Sequence, residues 1–108
     1  RVSQLFAALL DKLVGAKLRQ RLGGRLRIAI VGGAAMPAEI SRVFLALGVP
    51  VLQGYGLTET SPVISVNTPQ ANDPASVGGL LRDVEIESHS QTGELRVRSP
   101  GVMQGYWK

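Results

Sequence analysis

Two short apolar runs with a helix-period segment between them constrain this chain more than any other feature. Leu26 to Val31 is mostly apolar, carries three β-branched residues and is flanked by glycines, the pattern of a buried strand. Gly32-Gly33-Ala34-Ala35 follows as a tight loop. Pro37 then suits the first turn of a helix, where a missing N–H costs nothing. Ile40, Val43, Phe44 and Leu47 recur at i, i+3, i+4 and i+7 and give that helix one apolar face, with Gly48 placed for a left-handed cap. Val49 to Leu52 is the second apolar run, and Pro50 is tolerable only near its start. Strand, helix and strand with short connections predict a βαβ unit with parallel strands and a right-handed crossover. The expected fold class is α/β.

The flanks add a helix and a hairpin. Over residues 2–22, Val2, Leu5, Phe6, Leu9, Leu13 and Leu18 keep close to helical spacing, with Gly23-Gly24 as the stop. Residues 67–76 are polar and turn-rich, a loop or subdomain boundary. Beyond them, Val84 and Ile86 alternate with Asp83, Glu85 and Glu87, and Leu95 and Val97 with Glu94, Arg96 and Arg98. That predicts a hairpin with one buried face. A register setting Glu85 and Glu87 opposite Arg96 and Arg98 would pair opposite charges. The division expected is 1–75 for an α/β part and 76–108 for the start of a β subdomain.

The chain has 108 residues, enough for one small domain. With no cysteine, disulfides, thiolate zinc sites and thiol nucleophiles are excluded, and the single histidine, His89, builds no histidine metal cluster. No apolar run reaches the roughly 20 residues of a membrane span, so the expected location is the cytoplasm. The net charge of +4 is uneven: Arg1, Lys12, Lys17, Arg19, Arg21, Arg25 and Arg27 face only Asp11 over the first 27 residues. The plain reading is a solvated helix face. Peripheral contact with an anionic inner membrane face is the alternative, and the lack of interleaved aromatics argues against nucleic acid.

In a parallel sheet, ligands bind beyond the carboxyl ends of the strands. Gly32 to Ala35 follows the first strand and Gly54 to Thr60 the second, so the two loops should flank one crevice. The first loop is neither a dinucleotide fingerprint nor a phosphate-binding Walker loop. Its adjacent glycines allow close approach to a flat ligand such as a purine, or simply make a turn that needs small residues. In the second, Tyr55 offers a ring for stacking, Thr58 a hydroxyl for a phosphate oxygen, and Glu59 a hard carboxylate suited to magnesium shared with phosphates. Gly54 and Gly56 let the chain approach a ligand. A loop with a half-buried tyrosine and a solvated glutamate accounts for the same residues.

The run Gln53-Gly54-Tyr55-Gly56-Leu57-Thr58-Glu59-Thr60-Ser61-Pro62 resembles the Tyr-Gly-x-Thr-Glu motif of the adenylate-forming, AMP-binding superfamily. Gly32-Gly33-Ala34-Ala35-Met36-Pro37 is similar to its upstream Gly-Gly-Ala segment, and Gly93-Glu94-Leu95 through Met103-Gln104-Gly105-Tyr106-Trp107 to a downstream one. The details are most similar to bacterial long-chain fatty acid–CoA ligases, with a fatty acyl-AMP ligase that serves a carrier protein as the nearest alternative.

The resemblance implies that a carboxylate is joined to ATP as an acyl-adenylate and then passed to CoA. It places Tyr55 on adenine, Thr58 on the α-phosphate and Glu59 on the bridging Mg2+. It sets the backbone of Gly32, Gly33 and Ala34 along the adenine and acyl pocket, and Gly54 beside the acyl group. Glu94 is expected to be structural, and Tyr106 and Trp107 to be buried anchors of a small β-barrel subdomain. Ser99 departs from the glycine that many members carry there. The family's phosphate loop, ribose-binding aspartate and adenylation lysine are not among these residues, so the chain reads as a fragment unable to catalyse adenylation alone.

Overall fold

The computed structural model describes residues 2–107. Arg1 and Lys108, and the side chain of Val2 in the helical pattern, lie outside the described residues. Helix α1 (Val2–Leu10) runs through one wider π-turn at Asp11–Gly15 into α2 (Ala16–Arg21). Gly23 and Gly24 both take positive φ and close it, donating to the carbonyls of Gln20 (3.0 Å) and Arg19 (2.8 Å). These bonds satisfy last-turn carbonyls that have no partner within the helix. Then come β1 (Ala29–Val31), α3 (Ala38–Ala46) and β2 (Val51–Gly56). Ala29 pairs with Val51 and Val31 with Gln53 in parallel register, so the expected βαβ unit is present. Gly48, at φ 75°, caps α3 as its position in the sequence foretold.

Strand β2 runs past Gln53 and gains a second neighbour. Its later residues pair antiparallel with β3 (Val63–Val66), which pairs in turn with β4 (Gly79–Leu80). The sheet order is β1-β2-β3-β4. A separate antiparallel ladder joins β5 (Glu85–Ser88) to β6 (Leu95–Arg98), with Glu85 opposite Arg98 and Glu87 opposite Arg96. The charge pairing read from the alternation is therefore the observed register.

The core is small and lies around β2 and β3: Val49, Val51, Leu52 and Ile64 are its buried apolar residues. Several faces expected to be buried are open. Ile30 on β1 is 69% exposed; among the described residues β1 pairs with β2 alone, at the edge of the sheet. On α3 the buried position is the small Ser41, which lets the helix lie close to the sheet and turns Ile40 and Val43 outward. Leu5, Phe6, Leu9 and Leu13 are exposed too. The helix meets the rest of the fold near its far end, where Gly15 is buried and the Arg19 guanidinium donates to the Leu47 carbonyl (2.7 Å). The same guanidinium pairs with Asp11 (2.7 Å), which removes one cation from the basic face. The hairpin face carrying Ile86 and Leu95 is likewise uncovered among the described residues.

Candidate functional site

Gln53 is where the site begins. It ends the stretch of β2 that pairs with β1, it is buried, and a buried amide requires partners for both of its ends. Its Oε1 accepts from the Met36 N–H (2.9 Å), and its Nε2 donates to the Pro74 carbonyl (3.2 Å). One side chain therefore ties the first glycine loop and the 67–77 loop to the same strand. Asn67, also buried, repeats the device. Its Nδ2 lies within bonding distance of the carbonyls of Ser76 (2.7 Å), Asp73 (3.2 Å) and Gln53 (3.3 Å), and its Oδ1 accepts from the Asp73 N–H (3.0 Å).

The two glycine segments then meet directly. A Cβ added to Gly32 would stand 3.3 Å from the Gly54 carbonyl oxygen, so the backbones touch as the sequence led one to expect. Gly54, Tyr55 and Gly56 differ from expectation: they belong to β2 and not to a loop beyond it. Their partner is β3, a strand not foreseen in the sequence. The missing side chains make room for that strand and its approach: a Cβ at Gly54 would lie 3.2 Å from the Ser65 carbonyl, and one at Gly56 would overlap that of Pro62. The loop proper is a single tight 3-10 turn, Thr58–Thr60. Buried Thr60 closes it, its hydroxyl accepting from the Leu57 N–H (3.1 Å) and offering its proton to the carbonyls of Pro62 (2.7 Å) and Leu57 (2.9 Å).

Tyr55 stands between two hollows. One, of about 550 Å³, is lined by Gly32, Gly33, Gly54, Tyr55, Gly56 and Thr58, with Ile30, Val31 and Val63 adding apolar wall. The other, of about 300 Å³, takes Gly33, Ala34, Gln53, Gly54, Tyr55 and Gly56. Gly32, Gly33, Ala34, Gly54, Tyr55, Gly56 and Thr58, the residues expected to bind a cofactor, thus all border one or both. A planar group on the tyrosine ring with a chain in the apolar hollow is what this shape admits.

Glu59 lines neither hollow. It sits half-exposed in the turn, where its carboxylate accepts a hydrogen bond from the Tyr106 hydroxyl. That bond, helped by the residue's own N–H, holds the Glu59 carboxyl below the usual carboxylate range, and the same bond pushes the Tyr106 phenol up. Tyr106 and Trp107 are thus not buried anchors: they are 77% and 100% exposed. The segment that carries them crosses the motif turn on the surface, and the Met103 N–H donates to the Glu59 carbonyl (2.8 Å). Among the described residues there is no cluster of three or more metal-ligating side chains. One carboxylate beside a hydroxyl fits magnesium, which takes its remaining ligands from phosphates and water.

Residues 1–107 of the sequence match the family model for AMP-binding enzymes, and the chain belongs to that family. It is 38% identical over 103 residues to long-chain-fatty-acid–CoA ligase FadD15 of Mycobacterium bovis, covering 94% of this chain and 17% of that protein. It is 34% identical over 110 residues to the chloroplastic long-chain-fatty-acid–acyl-carrier-protein ligase AEE15 of Arabidopsis thaliana, covering 93% of this chain and 15% of the relative. Among solved structures, O-succinylbenzoate–coenzyme A synthetase of Bacillus subtilis, in complex with ATP and magnesium ion, superposes with a TM-score of 0.64 at 30% identity, over 74% of this chain and 19% of that one. The chain therefore spans less than a fifth of the length of these relatives.

Proposed function

We infer that this chain forms the adenine-facing part of an ATP-dependent ligase that activates a long-chain fatty acid as its acyl-adenylate and transfers it to CoA. The observation that carries the reading is the contact of the two glycine segments at Gly32 and Gly54, with Tyr55 between the hollows beside it. Names of relatives with fatty-acid ligase activity support the substrate class. In the reaction a carboxylate oxygen bonds to the α-phosphorus as the bond to pyrophosphate breaks. Tyr55 stacks on the base, the backbone of Gly32, Gly33 and Ala34 borders it, and Thr58 meets the α-phosphate. Glu59 holds magnesium, which when bound neutralises charge on the phosphate oxygens. The division at 75/76 belongs to the same proposal, as does a cytoplasmic location with the exposed Lys12, Lys17 and Arg21 against an anionic membrane.

Acyl-dependent ATP–pyrophosphate exchange by the complete ligase tests this. Long-chain acids should support exchange. Tyr55→Ala should weaken ATP binding, and Glu59→Gln should slow exchange roughly 10²–10³-fold. Wild-type exchange by Glu59→Gln would rule out its magnesium role, and no exchange with any carboxylate would rule out the activity. Transfer to a carrier protein in place of CoA is the second reading, which the likeness to the carrier-protein ligase favours. Thioester formation with each acceptor separates the two. The 108-residue chain alone should give no exchange.

A further inference from the structure

The run from Ser99 to Tyr106 is far from the motif turn in sequence and lies across it in space. Three contacts hold it there. Gly101 passes so close that a Cβ would stand 2.5 Å from the Thr60 carbonyl oxygen. The Met103 N–H donates to the Glu59 carbonyl at 2.8 Å. The Tyr106 hydroxyl donates to Oε1 of the Glu59 carboxylate. Ser99 shapes the approach: its hydroxyl accepts from the Gly101 N–H (3.2 Å) and its carbonyl from the Val102 N–H (3.2 Å). The residue that departs from the family pattern is therefore the one that turns the segment toward Glu59.

We propose that Tyr106 is a positioning residue for Glu59, fixing one carboxylate oxygen so that the other is presented to magnesium at the nucleotide. The inference rests on the magnesium role given to Glu59 above. A glutamate on a turn samples several rotamers, and holding one of them lowers the entropy lost when a metal binds. The phenol is well placed for this and little else. At 77% exposure it contributes almost no packing, so what it adds to the fold is this hydrogen bond. The backbone bond from Met103 holds the same residue at its other end, so the turn is gripped at both main chain and side chain.

The test measures binding, not turnover. In the complete ligase, calorimetry gives the affinity for ATP with Mg2+ and for ATP in EDTA, and the ratio reports what the metal adds. Tyr106→Phe should lower that ratio about tenfold, within the range seen when partners of metal ligands are removed, with affinity in EDTA unchanged. Glu59→Gln should lower it at least as far, and the double variant no further than Glu59→Gln alone. A full ratio in Tyr106→Phe, with loss in Glu59→Gln, overturns the positioning role and leaves the magnesium reading intact. So does weaker binding of ATP in both media with the ratio kept, which marks a general structural role. A full ratio in Glu59→Gln overturns the magnesium reading itself.

Discussion

The β2–β3 pair and the β5–β6 hairpin are both short antiparallel ladders, yet they are held in different ways. In the first, Ile64 is 1% exposed, and the polar residues Gln53, Ser65 and Asn67 are buried with their hydrogen bonds made. In the second, every position of β5 is exposed, and the cross-strand bond from Arg98 to Glu85, at 3.3 Å, joins two side chains in water. Alternation of apolar and polar residues announces the pairing of the second ladder and not that of the first. It does not specify burial, which depends on what lies over the face. The first ladder has loops drawn onto it by buried amides; the second has nothing over it among the described residues.

Substitutions that act on one ladder and not the other sharpen this contrast. The largest effect should come from Gly56→Ala, since the added methyl would overlap the Pro62 carbonyl and force the strands apart where their register already shifts. A loss of more than about 3 kcal/mol in denaturant unfolding is expected, with collapse of nucleotide binding. Ile64→Ala should follow at about 3 kcal/mol, whereas Ile86→Ala on the hairpin should cost under about 1 kcal/mol. Equal costs for the two isoleucines would break the contrast. Gln53→Leu should cost about 2 kcal/mol through the unpartnered Met36 N–H and Pro74 carbonyl, and amide exchange at Met36 should quicken. Glu85→Gln should change stability by less than about 0.5 kcal/mol, an exposed pair being screened by water.

The smallest effect concerns acid. The Arg19 guanidinium beside Asp11 holds that carboxyl below its ordinary value, so the folded form binds its proton less readily than the unfolded one. The pair therefore stabilises the helix fully above the ordinary aspartate value and fades as pH falls through the folded one. Asp11→Asn should remove that dependence from the acid limb of the helical circular dichroism signal. An unchanged acid limb would mean that the pair adds nothing.

Much of the frame was legible because it depends on local signals. The parallel βαβ unit, both glycine caps and the hairpin register follow from period, glycine placement and charge within a few residues of each other. The glycine loops were correctly brought together for the same reason. Illegible were features set by distant partners. Val63 to Val66 is too short and too near Pro62 to announce a strand, and only its partner β2 makes it one. Gln53 and Asn67 read as ordinary polar residues; their weight comes from carbonyls that the folded chain leaves beside them. Tyr106 and Trp107 have the composition of core residues, and nothing near them in sequence shows that they lie on the surface. For Tyr106, a donor on an aromatic ring at the end of a glycine-rich run was the available hint.

The grip of Met103 and Tyr106 on the motif turn also has a bearing on the order of events as the chain is made. Glu59 and Tyr106 are 47 residues apart, so their contact closes a long loop and carries its entropy cost. Synthesis at about 5–20 residues per second puts several seconds between the emergence of the two partners. During that interval the turn has Thr60 and β3 to shape its backbone, but its carboxylate is free to wander. Order at the Glu59 carboxylate would then arrive after the sheet that carries it.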